Sequence, residues 1–237
     1  MLKVDHLNAW YGPAQILFDV NLTVGQGEVV CLMGRNGAGK STTMKAIMAM
    51  LDRRQGEITW MGRDISKWPT HRIAGAGLGY VPQERRIFTD LTVSENLEVG
   101  RQPPRRCSQA EPLPVWTPQR VFDLFPNLAQ MGPRQASKMS GGEQQMLSVA
   151  RTLMGNPCLV LLDEPAEGLA PVLVEQMAYM IETIKHQGVS ILLSEQNLHF
   201  ANMVSDRAYV IEKGVMTYSG SMQALMDKQP GAIRKNQ

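Results

Sequence analysis

The run from Glu28 to Thr43, EVVCLMGRNGAGKSTT, leaves a chain few ways to fold. It starts with residues that are apolar at nearly every position, as a strand buried on both faces would be. It then passes through G-x-x-x-x-G-K-S, Gly34 to Ser41, into a segment with Met44, Ile47, Met48 and Leu51 at helical spacing. Buried strand, glycine-rich turn and helix in that order build a phosphate cradle. The glycines let the backbone N–H groups of Arg35, Asn36, Gly37, Ala38 and Gly39 turn inward, and the helix adds its positive end. Lys40 is expected to reach the β- and γ-phosphates and the Ser41 hydroxyl to ligate Mg²⁺, with Thr42 completing the nucleotide-binding set.

The rest of the chain supplies the partners such a strand needs. LKVDHLNAWYG, FDVNLTV and the hairpin GEITWMGRDI alternate in the strand manner, and GLGYVP is another short strand. The helix after the glycine turn is expected over 40–51. CLVLLDEP and VSILLSE read as buried strands, PVLVEQMAYMIETIKHQG and NLHFANMVSDRA as helices, and AYVIEKGVMTYSG as a closing hairpin. Strand–helix alternation of this kind implies a mainly parallel sheet with right-handed crossovers. Between Gln102 and Pro118 the prolines 103, 104, 112, 114 and 118 imply a surface loop, and QRVFDLFPNL resumes a helix. The expected organisation is one α/β domain, 1–237, with its core in 1–83 and 155–237 and a mainly helical lobe, 84–154, set into it.

Composition narrows the class. A charged fraction of 19% with a net charge of +2 argues against disorder and gives no reason to expect a nucleic-acid partner. No run of about 18 apolar residues is present, so a soluble chain is expected, reaching a membrane only through a partner. The three cysteines lack framework spacing. They read as free thiols in a reducing compartment, with Cys31 and Cys158 as small core fillers.

Two further stretches carry chemistry. LVLLDEP ends a buried strand in Asp163, suited to Mg²⁺, and Glu164, suited to orient the water that attacks the γ-phosphate. Glu164 could equally be an acid opening a helix before Pro165. MSGGEQQMLSVAR, Met139 to Arg151, places Ser140, Gly141, Gly142 and Glu143 at a helix start, a second seat for an anion. By itself this turn is also a plain serine cap.

In combination, these stretches resemble the nucleotide-binding subunit of an ABC transporter over nearly the whole length. The resemblance implies a P-loop NTPase (RecA-like) core with an antiparallel β-subdomain and a helical lobe. It implies that Tyr11 stacks on adenine, that Gln83 in YVPQ senses Mg²⁺ and the γ-phosphate, and that GLAP, Gly168 to Pro171, takes the D-loop place. MSGGEQQ is similar to the family's LSGGQ signature, which closes over the ATP of a second subunit. That implication explains two phosphate seats in one chain. One position departs from the pattern: SEQN puts Gln196 where the family usually has a switch histidine, while His199, three residues on, reads as a surface or packing residue.

RRIF, MSGGEQQML, GLAP and EQN together resemble the ATPases of branched-chain amino-acid uptake, whose relatives import urea or short amides. The resemblance implies ATP and Mg²⁺ as cofactors and membrane permease subunits fed by an external binding protein. It also implies a second, unlike ATPase subunit, a homodimer being the alternative, and a place on the inner face of a bacterial inner membrane. A same-fold ATPase outside transport, such as an iron–sulfur assembly factor, and an ATP-holding module without turnover are the rival readings.

Overall fold

The computed structural model describes residues 1–105, 107 and 113–228. The strands are β1 Leu2–Tyr11, β2 Ala14–Val24, β3 Val29–Met33, β4 Arg53–Trp60, β5 Arg63–Asp64, β6 Leu78–Val81, β7 Leu159–Asp163, β8 Ser190–Glu195, β9 Arg207–Glu212 and β10 Val215–Ser221. The α-helices are α1 Lys40–Ile47, α2 Thr70–Gly75, α3 Val93–Gly100, α4 Pro118–Leu124, α5 Pro126–Gln130, α6 Gly141–Leu153, α7 Pro171–His186, α8 Leu198–Val204 and α9 Met222–Lys228.

Two sheets form. Strands β2-β1-β4-β5 make an antiparallel sheet, and β10-β9-β3-β8-β7-β6 make a sheet that is parallel except for the β9–β10 hairpin. Every residue of β3, β7 and β8 is buried, which explains their continuous apolar composition: helices or the second sheet cover both faces. The parallel register places Met33 beside Glu195 and Asp163 beside Ser194. Three strands therefore end side by side, and the polar residues that follow them meet at one edge of the core.

Four helices, α3 to α6, lie between β6 and β7 in the chain. Val93, Leu97, Val121, Phe125, Leu128, Met146, Leu147 and Ala150 bury their apolar faces in the same cluster as Val160 and Leu162 of β7. The sequence LTVSENLEVG offers Thr92 or Ser94 as the cap of α3, and the structure uses Thr92, reciprocally with Glu95.

Several sequence expectations change. The first helix stops at Ile47 rather than near Leu51, because Ala49 takes a left-handed backbone, φ 56°. QRVFDLFPNL is broken in two at Pro126, which has no N–H to continue α4 and instead opens α5. Pro118 belongs to α4 rather than to the proline-rich loop, and Pro112 of that loop lies outside the described residues. Helices α2 and α9 have no counterpart in the sequence reading.

The cysteine expectation is corrected. Cys107 and Cys158 are joined in a disulfide, their Cα atoms 5.3 Å apart, and among the described residues only Cys31 is free. The pairing is invisible in the spacing because the partners are 51 positions apart, with the three helices α4, α5 and α6 folded between them.

Candidate nucleotide site

The glycine turn follows β3 directly and is held by its neighbours. Gly34 donates its N–H to the Glu195 carbonyl at 3.2 Å, and a Cβ on Gly34 would lie 2.6 Å from the Ile211 carbonyl oxygen. Gly39 has φ 115°, a backbone that side chains rarely adopt, so the turn requires glycine at both places. Lys40 opens α1 and is buried. Its ammonium donates to the carbonyls of Gly34 (2.8 Å) and Arg35 (3.2 Å) and pairs with Glu164 Oε1 at 2.8 Å.

Glu164 is buried too and stands at φ 48°, a strained conformation for a residue with a side chain. Strand β8 holds it there: the Glu164 N–H reaches both the carbonyl and the hydroxyl oxygen of Ser194, each at 3.1 Å. It is therefore not a helix-opening acid, since the next helix, α7, starts at Pro171. Asp163 Oδ1 accepts from the hydroxyls of Ser41 (2.9 Å) and Ser194 (2.6 Å), and Oδ2 from Tyr80 at 3.2 Å. Burial, with Asp163 next to it, pushes the Tyr80 phenol well above its ordinary pKa, so it remains a donor.

Gln83, two residues past β6, donates to Glu164 Oε2 at 3.4 Å and to Glu167. The segment after it turns through left-handed residues Arg85 and Arg86, whose carbonyls accept from Ser148 (2.6 Å) and Arg151 (2.5 Å) of α6. The Gln83 segment is thereby tied to the helix that Ser140 begins.

At that helix start Ser140 and Glu143 form a reciprocal cap: Glu143 Oε2 accepts from the Ser140 N–H at 2.6 Å, and Ser140 Oγ from the Glu143 N–H at 3.3 Å. The cap reading and the anion-seat reading are compatible, because the Ser140 hydroxyl keeps its own proton to donate. Gly141 and Gly142 lie against Arg85, Leu169 and Leu173, whereas the turn before Lys40 lies against Leu17, Ile211 and Gly214. The two glycine turns have different surroundings.

Tyr11 is exposed at the end of β1, beside the Gly12–Pro13 turn. Gln196, Asn197 and His199 are exposed beyond β8; Asn197 caps α8, and its side chain accepts from the His199 and Phe200 N–H groups. Among the described residues, no hydrogen bond joins the Tyr11 or Gln196 side chain to Lys40, Ser41, Asp163 or Glu164.

Sequence reasoning missed three side chains: Tyr80, Ser194 and Glu195. Glu195 is 3% exposed, and burial raises its carboxyl pKa from the ordinary range to about 7, with the Glu164 charge adding to the effect. A carboxyl held above its unfolded value contributes most to stability below about pH 4.5, and that contribution is lost as pH rises through 7. Relative to Glu195→Gln, wild type should lose about 3 kcal/mol of unfolding free energy between pH 5 and pH 8. Urea titrations of both proteins at those two pH values measure the difference, and parallel pH profiles would refute it.

A strand-to-helix glycine turn, a buried lysine–glutamate pair and a serine–aspartate pair gather at one sheet edge, an arrangement whose chemistry suits a nucleoside triphosphate. The family pattern described as ABC transporter matches residues 17–167 of this chain. The chain belongs to that family. The high-affinity branched-chain amino acid transport ATP-binding protein BraG of Pseudomonas aeruginosa is 39% identical over 226 residues, 95% of each chain. The lipopolysaccharide export system ATP-binding protein LptB of Haemophilus influenzae is 33% identical, covering 97% of this chain and 94% of its own. A nucleotide-free ATP-binding cassette from an ABC transporter superposes with a TM-score of 0.80 over 98% of this chain and 97% of that one, at 24% identity, a likeness of fold. As an ABC cassette the chain has the expected P-loop architecture with its antiparallel sheet, binds nucleotide and hydrolyses ATP.

Proposed function

We propose that this cassette powers an importer for branched-chain amino acids or a related small polar solute. The observation that carries the reading is the full-length 39% identity to BraG, a branched-chain amino acid transport protein. The triplet Glu195-Gln196-Asn197 supports it through the resemblance drawn from the sequence. LptB serves an export system, and its identity is lower, at 33%.

In this reading ATP lies along the turn Gly34–Gly39, with Tyr11 against adenine and Lys40, Ser41 and Thr42 at the phosphates. The oxygens of Ser41, Asp163 and the Gln83 amide suit a hard cation, and Ser41 and Asp163 already stand 2.9 Å apart. Mg²⁺, when bound, would neutralise charge on the phosphate oxygens. Lys40 adds a fixed cation with three inward-directed donors. Glu164, strained and buried, orients the attacking water and accepts its proton. Gln83 shares a hydrogen bond with Glu164 and so links the reaction to the lobe 84–154. Gln196 donates a hydrogen bond to the γ-phosphate but carries no charge.

Ser140, Gly141, Gly142 and Glu143 serve the ATP of a second ATPase subunit, unlike this one in the preferred arrangement and identical in the alternative. Hydrolysis then removes contacts made only by the closed pair, which drives a conformational cycle. No helix among the described residues is long and apolar enough to cross a membrane. Attachment to the inner face of a bacterial inner membrane is therefore assigned to permease subunits.

Cells lacking this chain are expected to lose high-affinity uptake of radiolabelled leucine, isoleucine or valine, restored by the wild-type chain and not by Glu164→Gln. Unchanged uptake of all three would refute the substrate class.

A further inference from the structure

Gln83 leaves β6 and meets two carboxylates carried on the turn after β7, Glu164 and Glu167. Its amide nitrogen donates to Glu167 Oε2 at close range and reaches Glu164 Oε2 only at 3.4 Å, long for such a bond. Ionised carboxylates accept and do not donate, so the nitrogen end of the amide must face both of them. Oε1 is thereby turned away from the two acids, and among the described residues it accepts no hydrogen bond.

Of the two acceptors, Glu167 is the one that holds the amide. Glu164 already commits Oε1 to the Lys40 ammonium at 2.8 Å, whereas Gln83 is the one side-chain partner of the Glu167 carboxylate among the described residues. The Glu167 N–H donates to the Glu164 carbonyl at 3.2 Å, so this second carboxylate rides on the same turn as the strained Glu164. Gln83 and Glu167 are both exposed, and a hydrogen bond open to water adds little to folding stability. A further negative charge beside a triphosphate seat also opposes the anion. Neither packing nor charge therefore accounts for Glu167.

We infer that Glu167 is a positioning residue for the metal-loaded nucleotide: its carboxylate holds the Gln83 amide nitrogen, so that Oε1 is the atom left for the cation. An amide without that partner is free to rotate, and one of its two orientations offers N–H groups, which cannot ligate a hard cation.

This inference rests on the role proposed for Gln83, so the experiment includes Gln83→Ala. Equilibrium binding of radiolabelled ATPγS to the full chain, in EDTA and in Mg²⁺, would be compared for wild type, Glu167→Ala, Glu167→Gln, Gln83→Ala and the double alanine variant, alongside thermal unfolding. The gain in affinity that Mg²⁺ brings should fall at least ~5-fold in Glu167→Ala, about what one hydrogen bond contributes. Affinity in EDTA should stay level or rise, because a negative charge has gone. Melting temperatures should agree within ~2 °C, as for an exposed substitution. Glu167→Gln, whose amide oxygen can still accept from Gln83, should keep the gain within ~2-fold of wild type. The double variant should lose no more of it than Gln83→Ala does, since both changes remove one contact. A full gain in Glu167→Ala beside a reduced one in Gln83→Ala overturns the positioning role. So does affinity lost equally with and without Mg²⁺, or lost in step with stability. A full gain in Gln83→Ala overturns instead the assignment on which the inference rests.

Discussion

Glu164→Gln is expected to lower kcat for ATP by about 10²- to 10⁴-fold while KM stays within about threefold of wild type. The reason lies in what the substitution leaves intact. The amide keeps the side chain's shape, and the strained backbone at φ 48° is held by Ser194, which is untouched. Lys40 keeps two of its three acceptors, the carbonyls of Gly34 and Arg35, and the amide oxygen can supply the third. Binding contacts therefore survive and proton acceptance does not. A variant that binds ATP without consuming it should accumulate as the closed pair of subunits. Size-exclusion chromatography with MgATP, in the presence of the second ATPase subunit, should show a dimer that wild type forms only transiently. Turnover like that of wild type would end the assignment of Glu164 as base.

What could be read in the sequence was fixed by short covalent spacing. Gly34 to Ser41 are consecutive, so a strand before and a helix after them determine the cradle with little help from the rest of the chain. Asp163 and Glu164 are likewise adjacent and end a strand whose apolar run identifies it as central. The supporting residues were hidden because their role depends on pairing between distant strands. VSILLSE reads only as a buried strand until the parallel register sets Ser194 opposite Asp163 and Glu195 opposite Met33. Tyr80 is similar: in GLGYVP it is one more strand aromatic, and only the β6–β7 pairing brings its hydroxyl to Asp163. The Cys107–Cys158 bond was missed on the same principle, since chain spacing carries no information about a contact closed by tertiary folding. Helix ends failed for local reasons, a left-handed Ala49 and a proline at 126, which apolar periodicity does not register.

Lys40→Ala is the harsher substitution, because it removes two things at once. Hydrolysis should fall at least ~10²-fold, since charge developing on the γ-phosphate loses a positioned cation. Stability should fall as well. Lys40 and Glu164 are 4% and 6% exposed, and removing the cation leaves the carboxylate buried beside Glu195 with no opposite charge within reach. Breaking a buried pair from one side costs about 3–5 kcal/mol, most of it the cost of the stranded charge rather than the worth of the pair. The two losses can be separated by neutralising the stranded partner. Adding Glu164→Gln to Lys40→Ala should recover much of the unfolding free energy, as read by urea titration, while ATP hydrolysis stays abolished. If the double variant is less stable than Lys40→Ala alone, Glu164 is not held in place by its charge partner. The strained turn then depends on Ser194 alone, and the ion pair carries no share of the site's rigidity.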